Sequence, residues 1–233
     1  VLDLDRFEVL TFDCYGTLID WEAGIVNALQ PLLAAHGVSL TDDEVLERYA
    51  RHESALEAGD YQTYRSVLAG SLGGLADEVG IGVTAEDLAT FAESVPGWPA
   101  FADSTDALRR LAGRYRLGVI TNCDDDLFAA SALRLEAPFE WVVTAEQAQA
   151  YKPGIAPFVM ALRLMQVPKE RVLHVAQSLY HDHVPAQSLG LTTAWVNRRH
   201  DRPGFGATPP ADATPDLEIP DLATLADLAT PEA

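Results

Sequence analysis

The chain has 233 residues, 48% hydrophobic and 22% charged, which suits one large domain or a core domain carrying a smaller insertion. A formal net charge of -19 excludes binding to nucleic acid or to an anionic membrane through a broadly basic surface, so an anionic substrate must meet a local cluster of positive groups. The two cysteines, Cys14 and Cys123, have neither CxxC nor metal-ligand spacing; this excludes a disulfide scaffold and points to a reduced, cytoplasmic protein. No run approaches the roughly 18 apolar residues that span a bilayer, and no basic segment precedes an apolar stretch at the N-terminus. Because the chain opens on Val1 rather than methionine, an earlier trimmed segment is expected.

In chain order, "FEVLTF" is a short apolar run ending at Asp13, the pattern of a strand buried on both faces. From Trp21 to Trp98 only helical patterns follow: "AGIVNALQPLLAAHG", "TDDEVLERYARHESALEAG", "YQTYRSVLAGSLGGLADEVG" and "TAEDLATFAESV". The "VPGWPAF" stretch at 95–101 reads as a hinge, since Pro and Gly do not continue a helix. Beyond it, strands and helices alternate. "STDALRRLAGRY" is helical, "LGVIT" a strand, "DDLFAASALRL" helical, "WVVT" a strand, "IAPFVMALRLMQV" helical, and "VLHVA" and "TTAWV" strands. The helices have apolar residues at three and four spacing, with Ser, Asp or Pro near their starts. "GFGATPPADATPD" at 204–216 reads as loop, and "LEIPDLATLADLA" as an edge strand and a closing helix. Alternation of this kind predicts an α/β fold: a parallel, doubly wound sheet core with an inserted helical lid domain over one end of the sheet. The expected division is a core of residues 1–18 and 97–233 and a cap of residues 19–96. The glycines of "GSLGGLADEVGIG" lack phosphate-loop or dinucleotide spacing and read as a cap loop.

Ligands of open parallel sheets sit beyond the carboxyl ends of the strands. Polar groups fall there at Asp13, at Thr121 and Asn122, at Lys152, and at Gln177 through Asp182. Taken singly each has a plain explanation: an Asp before Gly-Thr serves a turn, Thr-Asn caps a helix, and a lone Lys is a solvated charge. Their recurrence beside successive strands is what points to a site.

"FDCYGTLID", "ITN", "YKP" and "VAQSLYHD" together resemble the four motifs of the haloacid dehalogenase superfamily, over nearly the whole chain. The resemblance implies a Rossmann-like core and Asp13 as a nucleophile that forms an ester with substrate. Phosphatases of the superfamily carry a second aspartate two residues on, as acid and base. Here that residue is Tyr15, and a phenol titrating near 10 is a poor acid at neutral pH. Where the phosphatases have Gly-Asp at the fourth motif, this chain has Ala176-Gln177, which removes an oxygen ligand that magnesium would favour. Both substitutions are similar to the L-2-haloacid dehalogenase branch, which works without metal and whose halide leaves without a proton.

That branch implies a small halocarboxylate substrate and no cofactor. It implies Lys152 as the cation that keeps Asp13 ionised, with Asp182 positioning Lys152 and the hydrolytic water. Thr17 and Ser178 complete the catalytic set. Thr121, Asn122, Gln177 and the backbone amides of Cys14 and Tyr15 are the expected substrate-binding groups, and Arg48, or else Arg51, the expected cap arginine that draws off the halide. No metal ligands are expected. Departures from the branch are Leu179 for an asparagine, His181 for a tryptophan and Phe158 for a tyrosine. His181 and His183 point apart on a helix and read poorly as metal ligands, His52 and His174 read as structural, and Cys14 as a packed apolar residue. A homodimer is the family-based expectation for assembly, and hinges near Asp20 and Pro96 would let the insertion close over the site. Two further readings stand beside a dehalogenase: a divergent magnesium-dependent phosphatase, and a non-catalytic binding protein that retains the fold.

Overall fold

The structure, a computed structural model, describes residues 2–202, 204 and 206–230. Strand β1 (Val9–Phe12) is buried along its whole length. The chain then runs through four consecutive helices, α1 (Trp21–Ala35), α2 (Asp42–Glu57), α3 (Tyr64–Val79) and α4 (Ala85–Ala92). Side-chain caps begin each of them: Asp20 accepts from Ala23 N, Thr63 from Ser66 N, and Thr41 and Thr84 form reciprocal capping boxes with Glu44 and Asp87. Such caps satisfy amide groups that a helix start leaves open. The glycine-rich "GSLGG" lies inside α3 rather than in a loop. Gly70 and Gly74 there face Leu56 and His52 of α2 closely enough that a Cβ would collide with them, so these glycines let the two helices approach.

After the insert come α5 (Ser104–Ala112), β2 (Arg116–Thr121), α6 (Asp125–Leu135), β3 (Phe139–Thr144), α7 (Ala145–Ala148) and α8 (Ala156–Met165). Then follow β4 (Val172–Ala176), a π-helical turn at Leu179–His183, α9 (Val184–Ser188), β5 (Thr192–Val196), β6 (Leu217–Ile219) and α10 (Leu222–Ala229). The sheet has six strands in the order β3-β2-β1-β4-β5-β6, all pairs parallel. The strand reading therefore holds, and β1 lies in the middle.

Successive strand residues face opposite sides. Leu10 and Phe12 of β1, Val119 of β2 and Val175 of β4 join a core that continues into the insert through Ile25, Tyr49, Tyr64 and Leu68. Val9, Ile120 and Val172 face the other way, onto Phe158, Ala161 and Met165 of α8 and its neighbourhood. Burial on both faces explains why the strands read as continuous apolar runs. No described helix is long and apolar enough to cross a membrane.

Candidate active site

Asp13 lies one residue past β1, where its amide still donates to Val175 O at 3.1 Å. The chain then coils: Cys14 O accepts from the amides of Thr17, Leu18 and Ile19, and Gly16 takes a φ of +94°, a conformation that disfavours any side chain. The coil turns Thr17 back under the strand end, where its hydroxyl donates to Asp13 Oδ2 at 2.7 Å and accepts from Gln177 N at 2.9 Å.

Lys152 arrives after β3 and α7 and is only 1% exposed. Its ammonium donates to Asp13 Oδ1 at 2.8 Å, Asp182 Oδ1 at 2.7 Å and Ile120 O at 2.9 Å. An ammonium has three N–H donors, and all are used. Asp182 comes from the π-helical turn, which Ser178 caps by accepting from His181 N at 2.8 Å. Asp182 Oδ1 also accepts from His174 Nε2 at 3.0 Å, and His174 Nδ1 lies 3.0 Å from the Thr11 hydroxyl. Asp182 Oδ2 is buried with no hydrogen-bond partner among the described residues. His174 is thus structural, as expected, but in a specific way: Thr11 and His174 are register partners on adjacent strands, and together they hold Asp182 from below. Phe158 packs edge-on against the same imidazole, centroids 5.1 Å apart.

Electrostatics follow from burial. Desolvation pushes Asp13 above the ordinary aspartate value, and Asp182 adds to this, while Lys152 and Thr17 pull it down. Lys152 thus acts in the expected direction, favouring the ionised Asp13 against a burial effect that outweighs it. A buried Lys152 would lose its proton readily, yet the two carboxylates hold it above its ordinary value. Asp182 is buried too, but Lys152 and His174 hold it well below the usual range.

The site residues expected from sequence divide clearly. Asp13, Tyr15, Asn122, Lys152, Ser178 and Asp182 line one cleft of about 30 Å³. Asn122 frames the lysine, its Oδ1 accepting from Lys152 N at 2.8 Å and its Nδ2 donating to Lys152 O at 3.0 Å. Tyr15 contributes its ring, but its hydroxyl points away, 3.0 Å from Ser131 Oγ and 3.4 Å from the Cys123 thiol; burial keeps that phenol well above 10. The Cys14 side chain is fully buried, and the Thr121 hydroxyl is buried without a partner among the described residues. Gln177 does not line the cleft; its side-chain oxygen accepts at 3.1 Å from the hydroxyl of Thr208, which does.

Arg48 and Arg51 must be corrected. Neither lines the cleft. Both guanidinium groups bind Glu78 of α3, Arg51 at 2.9 Å, with His52 Nε2 3.1 Å from the same carboxylate. They face α3 on the outer side of α2, so their three-residue spacing marks a helix–helix ion-pair face. The cleft instead receives Glu53 and Glu57 from the opposite side of α2, with Trp21 of α1 and Tyr64 of α3. Glu53 Oε1 accepts from Tyr49 and Tyr64 hydroxyls at 2.7 and 2.9 Å, and burial pushes it up to about 7 against those bonds. The i, i+4 spacing of Glu53 and Glu57 puts both on one face of α2, but nothing in the sequence marks that face as the buried one. His181 also lines the cleft, whereas His183 is buried against Ala176 O, so the two do point apart.

A metal ion held by Asp13 and Asp182 fits this donor set poorly. Their Oδ1 atoms already share the Lys152 ammonium, and position 177 supplies an amide oxygen that is turned elsewhere.

A family model for haloacid dehalogenase-like hydrolases matches residues 7–180. The chain is 26% identical over 221 residues to an (S)-2-haloacid dehalogenase of Pseudomonas fluorescens, covering 92% of each protein. It is 25% identical over 223 residues to haloacetate dehalogenase H-2 of Moraxella sp. (strain B), covering 93% of this chain and 95% of that one. Among solved structures, an L-2-haloacid dehalogenase from Xanthobacter autotrophicus with chloropropionic acid covalently bound superimposes with a TM-score of 0.80. That match covers 97% of this chain and 100% of the other at 18% identity, a likeness of fold. With the Asp13 loop, the buried lysine and the π-turn aspartate all inside or beside the matched span, the chain belongs to the haloacid dehalogenase-like hydrolase family.

Proposed function

We propose that this protein hydrolyses the carbon–halogen bond of a short 2-haloalkanoic acid, giving the 2-hydroxy acid through an ester on Asp13 and without a metal. The observation that carries the reading is Asp13 at the end of the central strand, held by Lys152 at 2.8 Å and Thr17 at 2.7 Å beside the cleft. In the first step a carboxylate oxygen of Asp13 attacks C2; the new C–O bond forms as the carbon–halogen bond breaks and the halide keeps the electron pair. In the second, water adds to the Asp13 carboxyl carbon. Asp182 Oδ2, the buried oxygen without a partner, accepts a hydrogen bond from that water. Lys152 and Thr17 stabilise the oxyanion; collapse breaks the bond between the Asp13 carboxyl carbon and the ester oxygen. The hydroxyl of the product thus comes from Asp13, and the released proton leaves to solvent. Tyr15 supports this choice over phosphoryl transfer, since its hydroxyl is engaged with Ser131 and Cys123 and offers no acid to a leaving alcohol. The four helices of the insert serve as the cap.

The test is chloride release from each enantiomer of 2-chloropropionate, with and without EDTA. The expected outcome is release that survives EDTA, falls at least about 10⁴-fold in Asp13→Asn, and in one turnover in ¹⁸O-water labels Asp13 rather than product. Magnesium-dependent turnover of p-nitrophenyl phosphate with no halide release would overturn the reading.

A further inference from the structure

The cleft contains no arginine among its described lining residues, and its one permanent cation, Lys152, has no N–H left to give. A halide leaving Asp13's substrate therefore needs another donor. Two groups stand where it would go. Glu57 and His181 line both the inner cleft and a second, outer cavity of about 340 Å³, so they form the partition between the reacting centre and the exterior space. Glu57 belongs to the insert and Asp13 to the sheet. An in-line displacement sends the leaving group away from the nucleophile, and the insert supplies part of the surrounding wall through Trp21, Glu53, Glu57 and Tyr64.

Both groups are held in place by their neighbours. Glu57, its side chain 5% exposed, is fixed by Asn122 Nδ2, which lies 3.3 and 3.2 Å from its two oxygens. The Asn122 oxygen is committed to Lys152 N, so its amide nitrogen faces Glu57 by necessity. His181 Nε2 is buried, has no hydrogen-bond partner among the described residues, and lies 3.6 Å from Glu57 Oε2. The Ser178 hydroxyl accepts from His181 N and sits 3.1 Å from Nδ1; giving its own proton to Nδ1 leaves the ring proton on Nε2.

We propose that Glu57, as a carboxylic acid, and His181, through Nε2–H, together receive the departing halide, in the place where an arginine was expected. This rests on the dehalogenase reading of Asp13. Burial and the neighbouring Glu53 hold the Glu57 carboxyl well above its ordinary value, and burial lowers His181 to about 4; both shifts favour the uncharged forms. No proton is transferred: the carbon–halogen electron pair leaves with the halide, which accepts hydrogen bonds and passes into the outer cavity.

The experiment measures kcat/KM for 2-chloropropionate and 2-bromopropionate in wild type, Glu57→Gln and Glu57→Ala, with thermal melts to confirm folding. Glutamine keeps an N–H donor; alanine removes it. The expected result is a loss of about 10²-fold in Glu57→Ala with the chloro substrate, the scale of one missing oxyanion donor, and less than about 10-fold in Glu57→Gln. The loss should be smaller for bromide, a better leaving group that leans less on hydrogen bonding. Glu57→Gln as impaired as Glu57→Ala, or an equal loss for both halides, would overturn the proposal while the dehalogenase reading stands. A wild-type protein that releases no halide from either substrate would overturn both.

Discussion

His183 is a side chain whose place in the molecule sets a pH dependence. Its Nε2 donates to Ala176 O at 2.9 Å, and Nδ1 is buried with no partner among the described residues. A second proton would have to sit on Nδ1 with no acceptor, and burial accordingly lowers the group to about 4 from an ordinary 6.5. Between those values the unfolded chain binds a proton that the folded ring refuses, so the contribution of His183 rises with pH across the window. The raised Glu53, Glu57 and Asp13 act the other way over the same range, since the folded chain keeps protons that the unfolded chain has lost, and the test is therefore a difference: the urea midpoint of wild type minus that of His183→Asn should climb from pH 4.5 through 5.5 to 7. His181, lowered to about 4 in the same way, accounts for part of the remaining slope. Acid-side loss also draws on Asp182, whose depressed value makes its contribution full above 3.8 and lost as pH falls below it.

At the scale of elements, the join between insert and sheet is tight. Gly24 of α1 lies against the Trp98 ring, and a Cβ there would come within 2.3 Å of it. Trp98, 2% exposed, also meets Tyr15 edge-on at 5.8 Å, so a shift of the indole reaches the loop that follows Asp13. Gly24→Ala should destabilise by about 1–3 kcal/mol through overpacking, read as a lower urea midpoint with an unchanged m-value. The sheet itself was legible because strands buried on both faces write themselves as apolar runs between polar ends, as "VLHVA" does before Gln177. Asp13, Lys152 and Asp182 were legible because they follow such ends in order. The orientation of α2 was not. Arg48, Arg51, Glu53 and Glu57 all lie on one polar helix, and composition alone does not say which flank faces the sheet. Tertiary packing turned the arginines to Glu78 of α3 and the glutamates inward, with Tyr49 and Tyr64 supplying the hydroxyls that make a buried Glu53 tolerable.

Across the molecule, insert and sheet are fastened on separate sides. On one, Asp124 of the segment before α6 accepts from Tyr64 N at 2.7 Å and Arg65 N at 3.1 Å, capping α3 from outside its own helix. Arg65 then bridges Glu93 and Asp126 at 2.7 Å each. On another, Arg199 after β5 reaches Glu22 at 2.7 Å and Asp43 at 2.8 Å. A carboxylate at a helix start both satisfies open amides and meets the positive end of the helix dipole. Asp124→Ala should therefore loosen one fastening: hydrogen exchange at the first turn of α3 should speed up by about 10-fold, in line with the ~1 kcal/mol of a lost cap. Exchange in β1 and β4 should stay as in wild type; an equal change there would mean global destabilisation instead.

The cleft at Asp13, about 30 Å³, has room for about two water molecules. Its walls come from two parts of the chain: Asp13, Asn122, Lys152 and Asp182 follow the strand ends, while Trp21, Glu53, Glu57 and Tyr64 belong to the insert. The width of the space is therefore the spacing of insert and sheet, and the two fastenings act as its gauge.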